Sequence, residues 1–253
     1  MARGFSILIV SDAFWPQRTG GITKSLLTEV ETLVQKGHEV VVVTRMLDHN
    51  LDRHESRDGY QLYRYRSPAK DSLLYHAYPL TSIGLLPKLV DRLDEQYDFD
   101  LAYVHNVFQS IGIRRASAGI PQVYNYHAPI SGEIAIHADK GKYGWKTPAV
   151  RIANQGFKRL ENHVINTADR LLARSQFMSE EINRIHGGSY DPHIVSLAVD
   201  TDRFAFEDDP VTARRQLGLP TDRTIFLTVR RLVARVGLEV LVDAMETVAD
   251  EHP

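Results

Sequence analysis

Two adjacent glycines, Gly20 and Gly21, stand between an apolar run and a helical pattern in SDAFWPQRTGGITKSL, residues 11–26. Unpaired N–H groups at the start of a helix carry partial positive charge and suit a phosphate. Glycine lets such a ligand approach the backbone closely. A tight turn needing positive φ explains the pair equally well. His127 closes the run YNYHAP after Pro121 and offers either a hydrogen bond to a polar ligand or a structural contact. In VRRLVARVG, Arg230, Arg231 and Arg235 follow another apolar run. Arginines there can clamp a diphosphate, or stand as ordinary solvated charges.

Other signals carry less. No G-x-G-x-x-G occurs, so the dinucleotide fingerprint of a nicotinamide dehydrogenase is not met. Asp98-Phe99-Asp100 has the form of an Asp-x-Asp metal motif, but it directly precedes the strand-like LAYVH and reads as a turn. His105, His127 and His137 lack the close helical spacing of a zinc site, and no metal is expected. The serines have no nucleophile-elbow context. The aromatics of YQLYRYR suit a strand better than a base-stacking platform.

The elements that must position these residues alternate. FSILIVS reads as a buried strand, and Leu26, Leu27, Val30, Leu33 and Val34 then fall at helical spacing. KGHEVVVVT supplies a glycine C-cap and a second strand. YQLYRYR, LAYVH, IPQVYNYHAP, RLLARS and HIVSLAVD read as further strands. PKLVDRLDEQ, PAVRIANQGFKRLENHVINTAD and SQFMSEEINRIHG read as helices, the last begun by Ser175 or Ser179. Strands alternating with helices imply an α/β fold with an open parallel sheet covered on both faces.

Acidic residues and Pro210 in VDTDRFAFEDDP mark a linker. RTIFLTV then reads as a fresh strand and GLEVLVDAMETVAD as a fresh amphipathic helix. These resemble the opening of a second α/β domain that is missing, swapped or supplied by another chain. A net charge of −2 with scattered basic residues points away from nucleic acid. The absence of cysteine excludes a disulfide scaffold and fits a reducing cytosol. No stretch approaches the length of a membrane span, so any membrane contact is expected to be peripheral.

Six stretches, ILIVSDAFWPQRTGGITKSL, KGHEVVVVT, YNYHAP, ADRLLARSQFMSEEI, VDTDRF and VRRLVARVGLEVLVDAM, occur in the order seen in family 4 retaining glycosyltransferases. The chain resembles that family over essentially its whole length. The resemblance implies the GT-B architecture, two Rossmann-like domains with the active site between them. Residues 1–203 would be the acceptor-side domain, 204–223 a linker, and 224–253 the start of the nucleotide-sugar-binding domain.

It also implies roles. The glycine-rich loop, here Gly20 and Gly21, approaches the donor phosphates and sugar, and His127 contacts the transferred sugar. Arg231 grips the diphosphate, while Asp12 and Arg18 lie on the acceptor side. The donor would be a nucleotide-diphosphate sugar used without a metal or other cofactor. The acceptor would be a glycan or lipid-linked hydroxyl reached from the cytoplasm, with a peripheral contact at the inner membrane face. Arg230 stands where the family usually has glycine. Val236 stands where lysine is common, and Arg235, one position earlier, brings a similar charge for donor binding. A competing expectation is a non-catalytic acceptor-binding half that needs a second chain for its donor pocket.

Overall fold

A computed structural model describes residues 4–17, 20–197, 201, 204, 209–230, 232 and 236–251. β1 (Ser6–Ser11) leads into α1 (Gly21–Gln35) and β2 (Glu39–Arg45). A hairpin of β3 (His54–Arg57) and β4 (Tyr60–Tyr65) follows, then α2 (Tyr78–Gly84) and α3 (Leu86–Tyr97). β5 (Leu101–Val104), α4 (Val107–Arg114) and β6 (Gln122–Tyr126) continue the alternation. Next come α5 (Ile130–Asp139), α6 (Thr147–Thr167), β7 (Arg170–Ala173), α7 (Gln176–His186) and β8 (His193–Ile194).

The eight strands form one sheet in the order β3-β4-β2-β1-β5-β6-β7-β8. Every pairing is parallel except β3 with β4. Two apolar layers cover its faces. Ile7, Ile9, Val40, Val42 and Leu62 pack under Leu26 and Val30 of α1. Leu8, Val10, Val41 and Val43 pack under Leu86, Val90 and Leu93 of α3 and under residues of α4, α6 and α7. Alternate residues of β1 and β2 are thus buried on opposite faces, which a doubly covered parallel strand requires. Right-handed crossovers account for the division. The path from β1 to β2 runs one way along the sheet, while the paths from β4 onward run the other.

The α/β reading and its parallel sheet therefore hold, and Ser175 is the residue that caps α7, accepting from Met178 N at 3.2 Å. Two sequence expectations change. RTIFLTV, 223–229, forms no strand; Phe226, Leu227, Val229 and Leu232 are exposed. A strand is held by its neighbours' hydrogen bonds, and among the described residues nothing pairs with this one. A short helix, α8 (Pro210–Gln216), capped by Asp209, falls inside the stretch read as linker. The expected amphipathic helix is present as α9 (Leu238–Glu251). Among the described residues no helix is long and apolar enough to cross a membrane.

Candidate functional site

Strand order reverses at β1, whose own helix leads to β2 on one side while β5 lies on the other. Ligands of open α/β sheets bind in the crevice outside the carboxyl ends of the strands at such a point. Three connections meet there: residues 12–17 and Gly20 after β1, His105-Asn106 after β5, and His127-Ala128-Pro129 after β6. Buried Gln109 of α4 donates to Ser11 O at 2.8 Å and pins the end of β1. His105 N donates to Val10 O at 3.0 Å, fixing β5 against it. Asn106 caps α4 by accepting from Phe108 N at 2.9 Å.

The glycine pair starts α1. Gly20 is extended, with φ 175° and ψ 169°, and Gly21 is the first helical residue. Neither has the positive φ that a tight turn would demand. A Cβ added to either would meet no atom within 4 Å. Backbone strain and packing are thus both removed as reasons for glycine here. Among the described residues no side chain caps the helix, and no acidic residue lies in its first turn. Thr23 Oγ1 donates back to Gly20 O at 3.0 Å, so its hydroxyl does not occupy the amides. The first-turn N–H groups and the helix dipole therefore face outward beside the crevice.

His127 lies at the end of β6, with its Nε2 2.8 Å from His105 Nδ1. The two rings stack at 21° with centroids 5.0 Å apart. Tyr103 sets its ring edge against His105 at 4.4 Å. Its hydroxyl donates to Glu29 of α1 at 3.0 Å and accepts from Asn125. Arg174 closes the group with an ion pair to Glu29 at 2.6 Å. Burial pushes His127 down to about 4, and the nearby Arg174 charge adds to that. Burial, then His127, then Arg174 hold His105 well below the ordinary histidine range. Both rings are neutral near pH 7. Behind them, buried Glu161 of α6 accepts from the backbone N–H groups of Ile130 and Ser131 and from the Ser131 hydroxyl. It thereby caps α5 and holds the turn that carries His127.

Asp12 occupies the opposite side of the crevice mouth. Arg45, at the end of β2 and 1% exposed, sets Nε 2.7 Å from Asp12 Oδ1 and donates from Nη2 to Oδ2 at 2.9 Å. Its guanidinium lies over Tyr78 at 4.0 Å and Tyr75 at 5.4 Å. Asp12 is therefore held in a two-point ion pair, its carboxylate a quarter exposed. Beyond it, Gln17, Leu47, His49, Asn50 and Lys70 line a cavity of about 750 Å³ between the loops after β1, β2 and β4.

The fold thus brings Asp12, Gly20, Gly21 and His127 to one edge of one sheet. Arg18, Arg231 and Arg235 lie outside the described residues. Asp98 and Asp100 sit at the other, amino end of the strands. Asp98 closes α3 in the left-handed conformation and Asp100 accepts from Ser6 N at 2.8 Å, so both act in the turn. Among the described residues no group of three histidines and carboxylates is placed to hold a metal ion. Sequence reasoning missed Arg45, the partnership of His105, and the Glu29-Tyr103-Arg174 group.

Residues 19–203 match the family described as Glycosyltransferase Family 4. Over 109 residues the chain is 31% identical to the D-inositol 3-phosphate glycosyltransferase of Streptomyces bingchenggensis, a match covering 42% of this chain and 22% of that one. Among solved structures, sucrose-phosphate synthase from Thermosynechococcus elongatus superposes with a TM-score of 0.69 at 20% identity, over 97% of this chain and 60% of the other. Anabaena HepE, solved in complex with UDP-glucose, superposes with a TM-score of 0.51 at 16% identity, over 85% of this chain and 50% of its own. The chain spans less than two thirds of the length of each.

Proposed function

The chain belongs to glycosyltransferase family 4, and from that membership we propose that it moves a sugar from a nucleotide-diphosphate donor to an acceptor hydroxyl. One observation carries the reading to this crevice. Gly20 and Gly21 are glycines that the fold itself does not need, at the start of a helix that no described side chain caps. A missing side chain there serves something that comes close to the backbone from outside. A diphosphate fits, because it gains N–H donors and the positive end of the helix dipole together. That HepE was solved with UDP-glucose on a similar fold supports the same donor class.

Departure of the nucleotide puts negative charge on the diphosphate. The amides at Gly20 and Gly21, with Arg231 and Arg235, stabilise that charge more in the transition state than in the ground state. His127, neutral and fixed by its neighbours, hydrogen-bonds a hydroxyl of the transferred sugar. Asp12 and Arg18 border the acceptor side, where the cavity near Lys70 and Asn50 offers room for a polar acceptor. The anomeric configuration is retained, by substitution on the face from which the nucleotide leaves. No metal takes part. Residues 224–253 belong to the start of a second, donor-binding domain, in keeping with the exposure of Phe226, Leu227, Val229 and Leu232.

A lipid-linked acceptor at the cytoplasmic face of a membrane completes the proposal. Exposed Leu73, Leu74 and Leu80, and Trp145 with Lys146 Nζ 5.5 Å from its ring, support a peripheral contact. Vesicle co-sedimentation at low salt tests that part, and no binding ends it. For the activity, a panel of nucleotide sugars is incubated with the protein and candidate acceptors, and products are read by mass spectrometry. A mass gain of one sugar, with its anomeric proton in the donor's configuration, is the expected result. An inverted product contradicts the stereochemistry, and nucleotide sugars left unbound and unchanged contradict the function.

A further inference from the structure

The two histidines at the ends of β5 and β6 share one proton, and the surroundings decide where it sits. With His105 Nδ1 and His127 Nε2 at 2.8 Å and both rings neutral, one of the two nitrogens donates and the other accepts. Suppose His127 donates from Nε2. His105 then carries its own proton on Nε2, an atom that is buried and has no hydrogen-bond partner among the described residues. That leaves a buried N–H without an acceptor, the rarer and costlier kind of orphan. Suppose instead His105 donates from Nδ1. Its Nε2 is then a bare lone pair, and no buried N–H is orphaned.

We propose that His105 is a positioning residue: it donates from Nδ1 to His127 Nε2 and so holds His127 in the tautomer protonated at Nδ1. With Nε2 occupied, the Nδ1–H is the ring group left to a ligand, and its partner must be an acceptor oxygen, such as a sugar hydroxyl lone pair. Only this last step rests on the glycosyl-transfer reading above. The geometry around His105 is built to keep its ring in place. Its backbone N–H is tied to Val10 O, and Tyr103 packs edge-on against the ring while its own hydroxyl is held by Glu29 and Asn125. Arg174, anchored on Glu29, disfavours any arrangement in which the pair takes up an extra proton and becomes charged.

Long-range ¹H–¹⁵N correlation of the imidazole rings in the ¹⁵N-labelled chain reads the tautomer directly. The expected pattern for His127 is a protonated Nδ1 and an unprotonated Nε2. His105→Phe keeps a ring but removes the donor, and His127, which is only partly buried, should then gain population of the Nε2-protonated form that a free imidazole prefers. His105→Asn places an amide N–H near the lost Nδ1 and should restore the wild-type pattern. A wild-type His127 protonated at Nε2 overturns the proposal without need of any variant. So does a His127 pattern that His105→Phe leaves unchanged. Affinities for UDP-glucose and for UDP separate the two readings. Loss of the sugar contact in His105→Phe should weaken UDP-glucose about tenfold and leave UDP unaltered. If the tautomer moves while both affinities hold, His105 still positions His127, and it is the sugar contact of His127 that fails.

Discussion

Replacing Gly21 by alanine separates what the fold needs from what a ligand needs. In the folded chain the new methyl group meets nothing within 4 Å, and the backbone at this position is already helical. Alanine in place of glycine lowers the conformational entropy of the unfolded chain, worth about 0.4–1 kcal/mol where the native conformation suits it. At roughly 2–4 °C per kcal/mol for a chain of this size, the melting midpoint should rise by about 1–4 °C. The same methyl group lies on the first turn of α1, where a phosphate oxygen would have to come to about 3 Å of the amide nitrogens. Displacing the diphosphate or losing one such donor costs on the order of 100-fold in transfer rate. Rates of transfer from UDP-glucose and scanning calorimetry on the same preparation give both numbers. A variant that is more stable and about 100-fold poorer in donor use fits the reasoning. A variant that is more stable and equal to wild type in donor use refutes it, because the glycine would then serve neither fold nor ligand. A large fall in stability would refute the premise that the position is open.

Three further outcomes follow from the site. Asp12→Ala leaves the buried Arg45 guanidinium without its two-point partner and should cost about 3–5 kcal/mol, read as a lower urea midpoint with unchanged slope; an unaltered midpoint would mean that the pair contributes nothing. His127 and His186, both held near 4 against an ordinary 6.5, stay neutral in the folded chain while the unfolded chain takes up protons. Their contribution, about 3 kcal/mol each, is therefore fully present above about pH 6.5 and is lost as pH falls toward 4; urea midpoints that stay level down to pH 4.5 would contradict it. Arg231→Ala should reduce turnover by ~100-fold if the arginine meets the developing diphosphate charge, and near-normal turnover would take it out of the mechanism.

Much of the scaffold was legible because its signals are local. Branched apolar runs marked β1 and β2, and the spacing of Leu26 and Val30 marked the face of α1 that is buried. The β3–β4 hairpin has a readable sign in Asp58-Gly59 between strand-like runs, with Gly59 at φ 84°. Less visible were groups that strand order assembles. His105 meets His127 only because β5 pairs with β6, Val104 opposite Tyr124. Glu29 and Arg174 lie far apart in sequence and meet across Tyr103. Arg45 closes an apolar strand, where nothing local separates it from a solvated strand end, whereas the segment after β4 brings Tyr75 and Tyr78 over it. The glycine pair shows the reverse case. Its position was plain from the sequence, but the choice between a strained turn and an open approach depended on φ and on the space around each Cβ.

The central claim is that a nucleotide sugar sits where α1 begins, between the ends of β1, β5 and β6. Amide and imidazole resonances followed during titration of the ¹⁵N-labelled chain with UDP-glucose test it most directly. The account predicts saturable shifts at Gly20, Gly21 and Ile22 and at the His127 ring, with Asp98 and Asp100 at the far end of the strands unmoved. Saturable shifts confined to other surfaces, with Gly20, Gly21 and His127 silent, would contradict it.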